Sequence, residues 1–110
     1  MAVSVIKSFP QVIELANKAT LLREGRKRTL ILNNFYVGSA TLTIPASDRP
    51  NENVGNVGLR RNQSTNGSSV ALVRVDTSGT VDMFYASAYG NSQTAALNGD
   101  MIASQVSWIV

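Results

Sequence analysis

Ser68 to Tyr85, SSVALVRVDTSGTVDMFY, decides the fold class, because its side-chain alternation and its turn chemistry give the same register independently. A type I turn followed by a left-handed residue wants Asp, Asn or Ser first and Gly last, and Asp76-Thr77-Ser78-Gly79 supplies both ends. Setting Asp76 opposite Thr80 brings Val75 to Val81, Val73 to Met83 and Ala71 to Tyr85 on one face. On the other face Arg74 meets Asp82 and Leu72 meets Phe84. The first face is apolar throughout, while the second carries an opposite-charge pair worth roughly 0.2–1 kcal/mol. A slip of one residue would turn Val73 and Val75 to the wrong side, so the stretch predicts an antiparallel hairpin in one register.

Downstream, Ala86 to Gly99 is small and polar and reads as a loop or a very short strand. Met101 to Val110 closes the chain as a strand with Ile102, Val106, Trp108 and Val110 on one face, which makes Trp108 a core or subunit-contact residue. Upstream, Val54, Val57 and Leu59 suggest a short strand, and Arg60 to Ser69 a polar connection with a turn at Asn66-Gly67. Leu21-Leu22 and Thr29 to Leu32 flank a second hairpin turn at Glu24-Gly25, whose basic tip, Arg26-Lys27-Arg28, reads as a solvated turn. Asn33-Asn34 interrupts the next apolar run as a bulge. Phe35 to Val37 and Thr41 to Ile44 then read as one long strand bent at Gly38-Ser39. Pro45 and Arg49-Pro50 end it, leaving Ala46 to Gly55 as a loop.

At the start, Ala2 to Ile6 alternates like a short strand, and Ser8-Phe9-Pro10-Gln11 has the form of a capping box. The pattern predicts a helix from Phe9 to Ala16 that buries Val12, Leu15 and Ala16 and covers a barrel end or meets another subunit. The expectation is an all-β fold, a small antiparallel β-barrel or sandwich of about seven or eight strands with one short N-terminal helix. Residues 1–18 form an adjunct segment and 19–110 the barrel.

Composition narrows the chemistry. In 110 residues there is no cysteine and no histidine, so disulfides, thiolate chemistry and the usual zinc ligands and general bases are missing, and no cofactor is implied. No apolar run reaches the roughly 18–20 residues of a membrane span, and Met1 to Phe9 lacks the basic start of a signal peptide. The expected partners therefore include no membrane. The formal charge of +3 is mild for a dedicated nucleic-acid binder. A hydrolase would have to use two of Glu14, Glu24, Asp48, Glu52, Asp76, Asp82 and Asp100, which no recognisable motif holds together.

Several motifs in order carry a resemblance. Leu21 to Leu32 as strand, basic turn and strand is followed by Leu42-Thr43-Ile44-Pro45 and Arg49-Pro50. Then come Val73-Arg74-Val75 with Asp76 to Val81, and a final Ser107-Trp108-Ile109. Over roughly Lys18 to Val110 this order resembles the C-terminal head domains of phage tail receptor-binding proteins of the lactococcal siphophage type. The resemblance implies a compact antiparallel β-barrel, assembled as a homotrimer with other tail or baseplate proteins. It implies recognition of a host cell-envelope saccharide without catalysis, and residence in the virion after synthesis in the bacterial cytoplasm. It also implies a site on the central hairpin at the positions of Leu72, Arg74, Met83 and Phe84, although the family's His and Asp are replaced here by Leu72 and Arg74.

A saccharide site needs an aromatic face for the apolar side of a ring and planar polar groups for its hydroxyls. Phe84, Tyr85 or Tyr89 can supply the first, and Arg74, Asp82 and Asn91 the second. Arg74 with Asp82 equally fits a solvated cross-strand pair, and alternation requires one of Phe84 and Tyr85 to face inward. The alternative function is a single-stranded nucleic-acid-binding barrel, with Phe35 or Tyr36 stacking bases beside Arg26, Lys27 and Arg28. Adjacent residues point to opposite faces of a strand, so only one of those two rings could stack.

Overall fold

A computed structural model describes residues 10–62, 67–86 and 93–110. The fold is all-β. Among the described residues eight strands form one antiparallel sheet in the order β1-β2-β3-β8-β4-β5-β6-β7. They are β1 (Gln11–Ala16), β2 (Ala19–Glu24), β3 (Lys27–Tyr36), β4 (Val54–Arg61), β5 (Ser68–Val75), β6 (Val81–Ala86), β7 (Gln93–Ala95) and β8 (Met101–Ile109). The pairing of β5 with β6 is the register that the alternation predicts, from Ala71 with Tyr85 to Val75 with Val81. Gly79 takes φ +86° in the turn, where only glycine is unstrained. The Asp76 carboxylate accepts hydrogen bonds from Ser78 Oγ (2.6 Å), Thr80 N (2.9 Å) and Ser78 N (3.0 Å).

One core lies on the inner face. It joins Ala19 and Leu21 of β2, Leu30, Leu32 and Phe35 of β3, Ala71, Val73 and Val75 of β5, and Ile102, Val106 and Trp108 of β8. A single sheet can bury residues on both of its halves only by folding over on itself. The fold-over lies between β8 and β4, whose ladder is limited to Leu59 to Arg61 against Ala103 to Met101. Beyond it β8 crosses the inner side of β4, with Ser104 Oγ donating to Val57 O (3.0 Å) and Asn56 Nδ2 to Gln105 O (2.8 Å). Gly58 sits at the crossing, and a Cβ there would stand 2.3 Å from Ala103 O and 2.6 Å from Ser104 Cβ. Gly58→Ala is therefore expected to cost about 1–3 kcal/mol by overpacking against backbone. An unchanged urea midpoint would show that the strands can part there freely.

Two expectations require correction. Gln11 to Ala16 is a strand and not a helix, paired antiparallel with β2 from Gln11–Arg23 to Ala16–Ala19. A two-turn helix is marginal in water, whereas the β-branched pair Val12-Ile13 and a tight reversal, with Lys18 at φ 66°, let this segment take the ladder that β2 offers. Its supposed capping residues Ser8 and Phe9, and the strand predicted for Ala2 to Ile6, lie outside the described residues.

The second correction concerns Phe35 to Ile44, which is not one bent strand: β3 ends at Tyr36. Ser39 donates from N (3.2 Å) and Oγ (2.6 Å) to Tyr36 O, Gly38 adopts φ +89°, and the chain leaves the sheet. Leu42 and Ile44 then fill the core from outside any strand. Thr43 bridges Thr80, and Ile44 N donates to Gly79 O (2.9 Å), so this segment rests against the β5–β6 turn. The bulge at Asn33-Asn34 is present as a register shift between Leu32 and Phe35, with Asn34 at φ 54°.

Candidate functional site

The β5–β6 hairpin turns Arg74, Asp82 and Phe84 to the outer face, because each pairs with or lies two residues from another and shares its side of the ladder. Arg74 Nη2 stands 3.5 Å from Asp82 Oδ2, with the two side chains 45% and 39% exposed. The Arg74 guanidinium lies 5.0 Å from the centre of the Phe84 ring. A pair this open contributes about 0–1 kcal/mol and gives up little when either member turns to a ligand. Leu72 lies opposite both Phe84 and Val57, and Val70 opposite Leu59. Val57 (62% exposed), Val70 (56%) and Leu59 (46%) extend this side into an apolar outer surface. A half-buried aromatic ring with a loosely held guanidinium over it and a carboxylate on the same face is equipped to bind by hydrogen bonds, and by stacking once the guanidinium turns aside.

Tyr85 is one residue out of phase and lies on the inner face. Its ring is covered by the Arg60 guanidinium at 3.7 Å. Arg60 is buried, with Nε donating to Asp100 Oδ2 (2.8 Å) and Nη2 to Oδ1 (3.3 Å), while Leu97 N also donates to Asp100 Oδ2 (2.9 Å). The structure thus brings together Arg74, Asp82 and Phe84 and sets Tyr85 apart from them. Tyr89 and Asn91 lie outside the described residues.

A second buried ion cluster escaped the sequence reading. Asp48, in a single 3₁₀ turn (Ala46–Asp48), is fully buried. Its Oδ1 accepts from Arg23 Nε (2.8 Å) and Arg28 Nε (2.6 Å), and its Oδ2 from Arg23 Nη2 (2.5 Å). Its carbonyl oxygen accepts from Trp108 Nε1 (2.7 Å). The Arg23 hydrogen bonds, helped by Arg28 and opposed by burial, hold the Asp48 carboxyl below the usual aspartate range, and they raise Arg23 in return. Arg23 and Arg28 face each other across the β2–β3 ladder, so one arginine of the basic turn expected to be solvated, Arg28, joins Arg23 in an internal clamp, while Arg26 stays exposed and donates to Val110 O (2.7 Å). No local pattern announces this, since Arg23 and Asp48 are 25 residues apart.

The same structure bears on the other functional classes. Phe35 is fully buried and cannot stack on a base, while Tyr36 carries Lys18 Nζ 5.0 Å above its ring. Asp48, Asp82 and Asp100 each face an arginine. Among the described residues no three His, Cys, Asp or Glu side chains gather as a metal site, and no helix is long and apolar enough to cross a membrane. No protein-family model, no curated protein and no solved structure matches this chain.

Proposed function

We propose that this chain is a phage tail or baseplate adhesion protein of the receptor-binding-head type, which binds a host cell-envelope saccharide and catalyses nothing. The observation that carries the reading is the outer face of the β5–β6 hairpin, where the half-buried Phe84 ring lies under the Arg74 guanidinium and the two planar groups of Arg74 and Asp82 are loosely paired. Those are the groups a pyranose needs, one for its apolar side and two for its hydroxyls. The order of motifs that resembles receptor-binding heads supports the same reading, as does an all-β fold. Assembly as a homotrimer in the virion is part of the proposal. Val57, Leu59 and Val70 offer exposed apolar area of the kind subunits bury, at about 25 cal/mol per Å².

Arg74→Ala is the test. The exposed pair contributes at most about 1 kcal/mol, so the thermal midpoint should stay within a few degrees of wild type. Capture of envelope glycans on an array should fall at least about tenfold, as expected for a charge-assisted hydrogen bond. Undiminished capture would make Arg74 surface decoration and remove this face as the site. Sedimentation of the same two proteins fixes the subunit count, and a monomer at all concentrations would remove the trimer.

A further inference from the structure

Where the end of β8 meets the loop before β4 there is an open cleft of about 280 Å³, lined by Pro50, Asn51, Glu52, Val54, Trp108 and Ile109. None of these residues belongs to the β5–β6 hairpin. Pro50, Val54, Ile109 and the rim of Trp108 give it apolar walls, and Asn51 and Glu52 are its exposed polar groups. Among the described residues neither polar side chain is engaged in a hydrogen bond or an ion pair.

The walls are fixed in advance. Trp108 is tied through Nε1 to Asp48 O, two residues before Pro50, and the Asp48 carboxylate is gripped by Arg23 and Arg28. One buried anchor therefore sets both the indole and the Pro50-Asn51-Glu52 wall, which lowers the ordering cost of binding.

The volume lies just below the roughly 300–1,000 Å³ of sites for drug-sized molecules, which leaves room for one ring. A ring with an apolar side and a fringe of hydroxyls matches apolar walls edged by an amide and a carboxylate. An unpaired carboxylate repels an anionic sugar. We propose that this cleft is a second subsite, separate from the hairpin face, that takes one neutral or amino-bearing pyranose unit of a polysaccharide. Asn51 and Glu52 hydrogen-bond its hydroxyls, and Ile109 and Pro50 cover its apolar side. The inference rests on the saccharide reading above but not on the hairpin site.

Trp108 is the single tryptophan of the chain, so its fluorescence and its indole N–H resonance report on this cleft and on the Asp48 anchor behind it, and the cleft substitutions separate the two. The full chain is titrated with glucose, galactose, N-acetylglucosamine and glucuronate, with total binding followed in parallel by calorimetry. A saturable Trp108 response to the uncharged sugars is expected, with a dissociation constant on the order of 1 mM, and a response to glucuronate at least about tenfold weaker. Asn51→Ala and Glu52→Ala, both at exposed positions, should each weaken the response about tenfold, while Arg74→Ala leaves it unchanged. A sugar that binds by calorimetry, is lost in Arg74→Ala and leaves Trp108 silent overturns the cleft and spares the adhesion reading. A Trp108 response indifferent to both cleft substitutions overturns the placement. No sugar binding by any measurement overturns both proposals.

Discussion

Val73→Asp should yield no folded protein. Val73 has no exposed surface, pairs with Asn56 on one side and Met83 on the other, and belongs to the core that both halves of the sheet share. The substitution forfeits about 1.5–3 kcal/mol of side-chain burial. It also places a carboxylate in a site without a cation, which costs several kcal/mol more or forces the group to take up a proton. Against a domain stability of about 5–15 kcal/mol, that removes most or all of the margin. Circular dichroism and a proton NMR spectrum distinguish the outcomes, and Val73→Ala, which makes only a cavity, should remain folded with a lowered melting temperature. A Val73→Asp protein that melts with wild type would place Val73 outside the core and dismantle the register.

The second large effect is expected at Asp48. Asp48→Asn keeps the shape of the side chain but removes the charge that Arg23 and Arg28 share, leaving two guanidinium groups to face a neutral amide. Breaking a buried pair in this way costs about 3–5 kcal/mol. For a domain near 100 residues that is a fall in melting temperature of roughly 15 °C or more. Asp82→Asn, at the exposed pair, serves as the control and should shift little. The Asp48 carboxyl is held below its ordinary value, so its contribution is complete above the unfolded-state pKa of about 3.9 and disappears as pH falls through the lowered folded-state value. Wild type should therefore lose stability on acidification below about pH 4 more steeply than Asp48→Asn does. Parallel acid-unfolding curves for the two proteins would show that the carboxylate is not clamped in solution.

What the sequence made legible follows the range of the interactions involved. The β5–β6 hairpin, its turn and its six-residue alternation are local, so period and turn chemistry were enough to fix which residues pair. The strand of Ile102, Val106 and Trp108 and the bulge at Asn33-Asn34 were readable for the same reason. The N-terminal strand was misread because its capping-box pattern is also local, while the partner that overrides it, β2, becomes visible only once the chain has doubled back. Leu42 and Ile44 were legible as apolar, but they lie outside any strand, and their role as a plug against Gly79 depends on a contact some 35 residues distant.

For the site, alternation alone placed Arg74, Asp82 and Phe84 together and Tyr85 opposite. The arginine clamps on Asp48 and Asp100 were invisible because each joins residues 20 to 40 positions apart without any shared motif. The cleft beside Trp108 was hidden for a related reason: it exists only where the last strand and the loop after Pro45 come to rest against one buried carboxylate.

The strand order also leaves the sheet with two rims of unequal length. Among the described residues β7 presents only three residues at one rim, while β1 presents six at the other, with Val12 67% exposed. Three residues offer too few free N–H and C=O groups to template a neighbour, whereas six are enough. Judged by the described residues, end-to-end growth at high concentration would thus begin at β1, within which Glu14 is the one charged side chain.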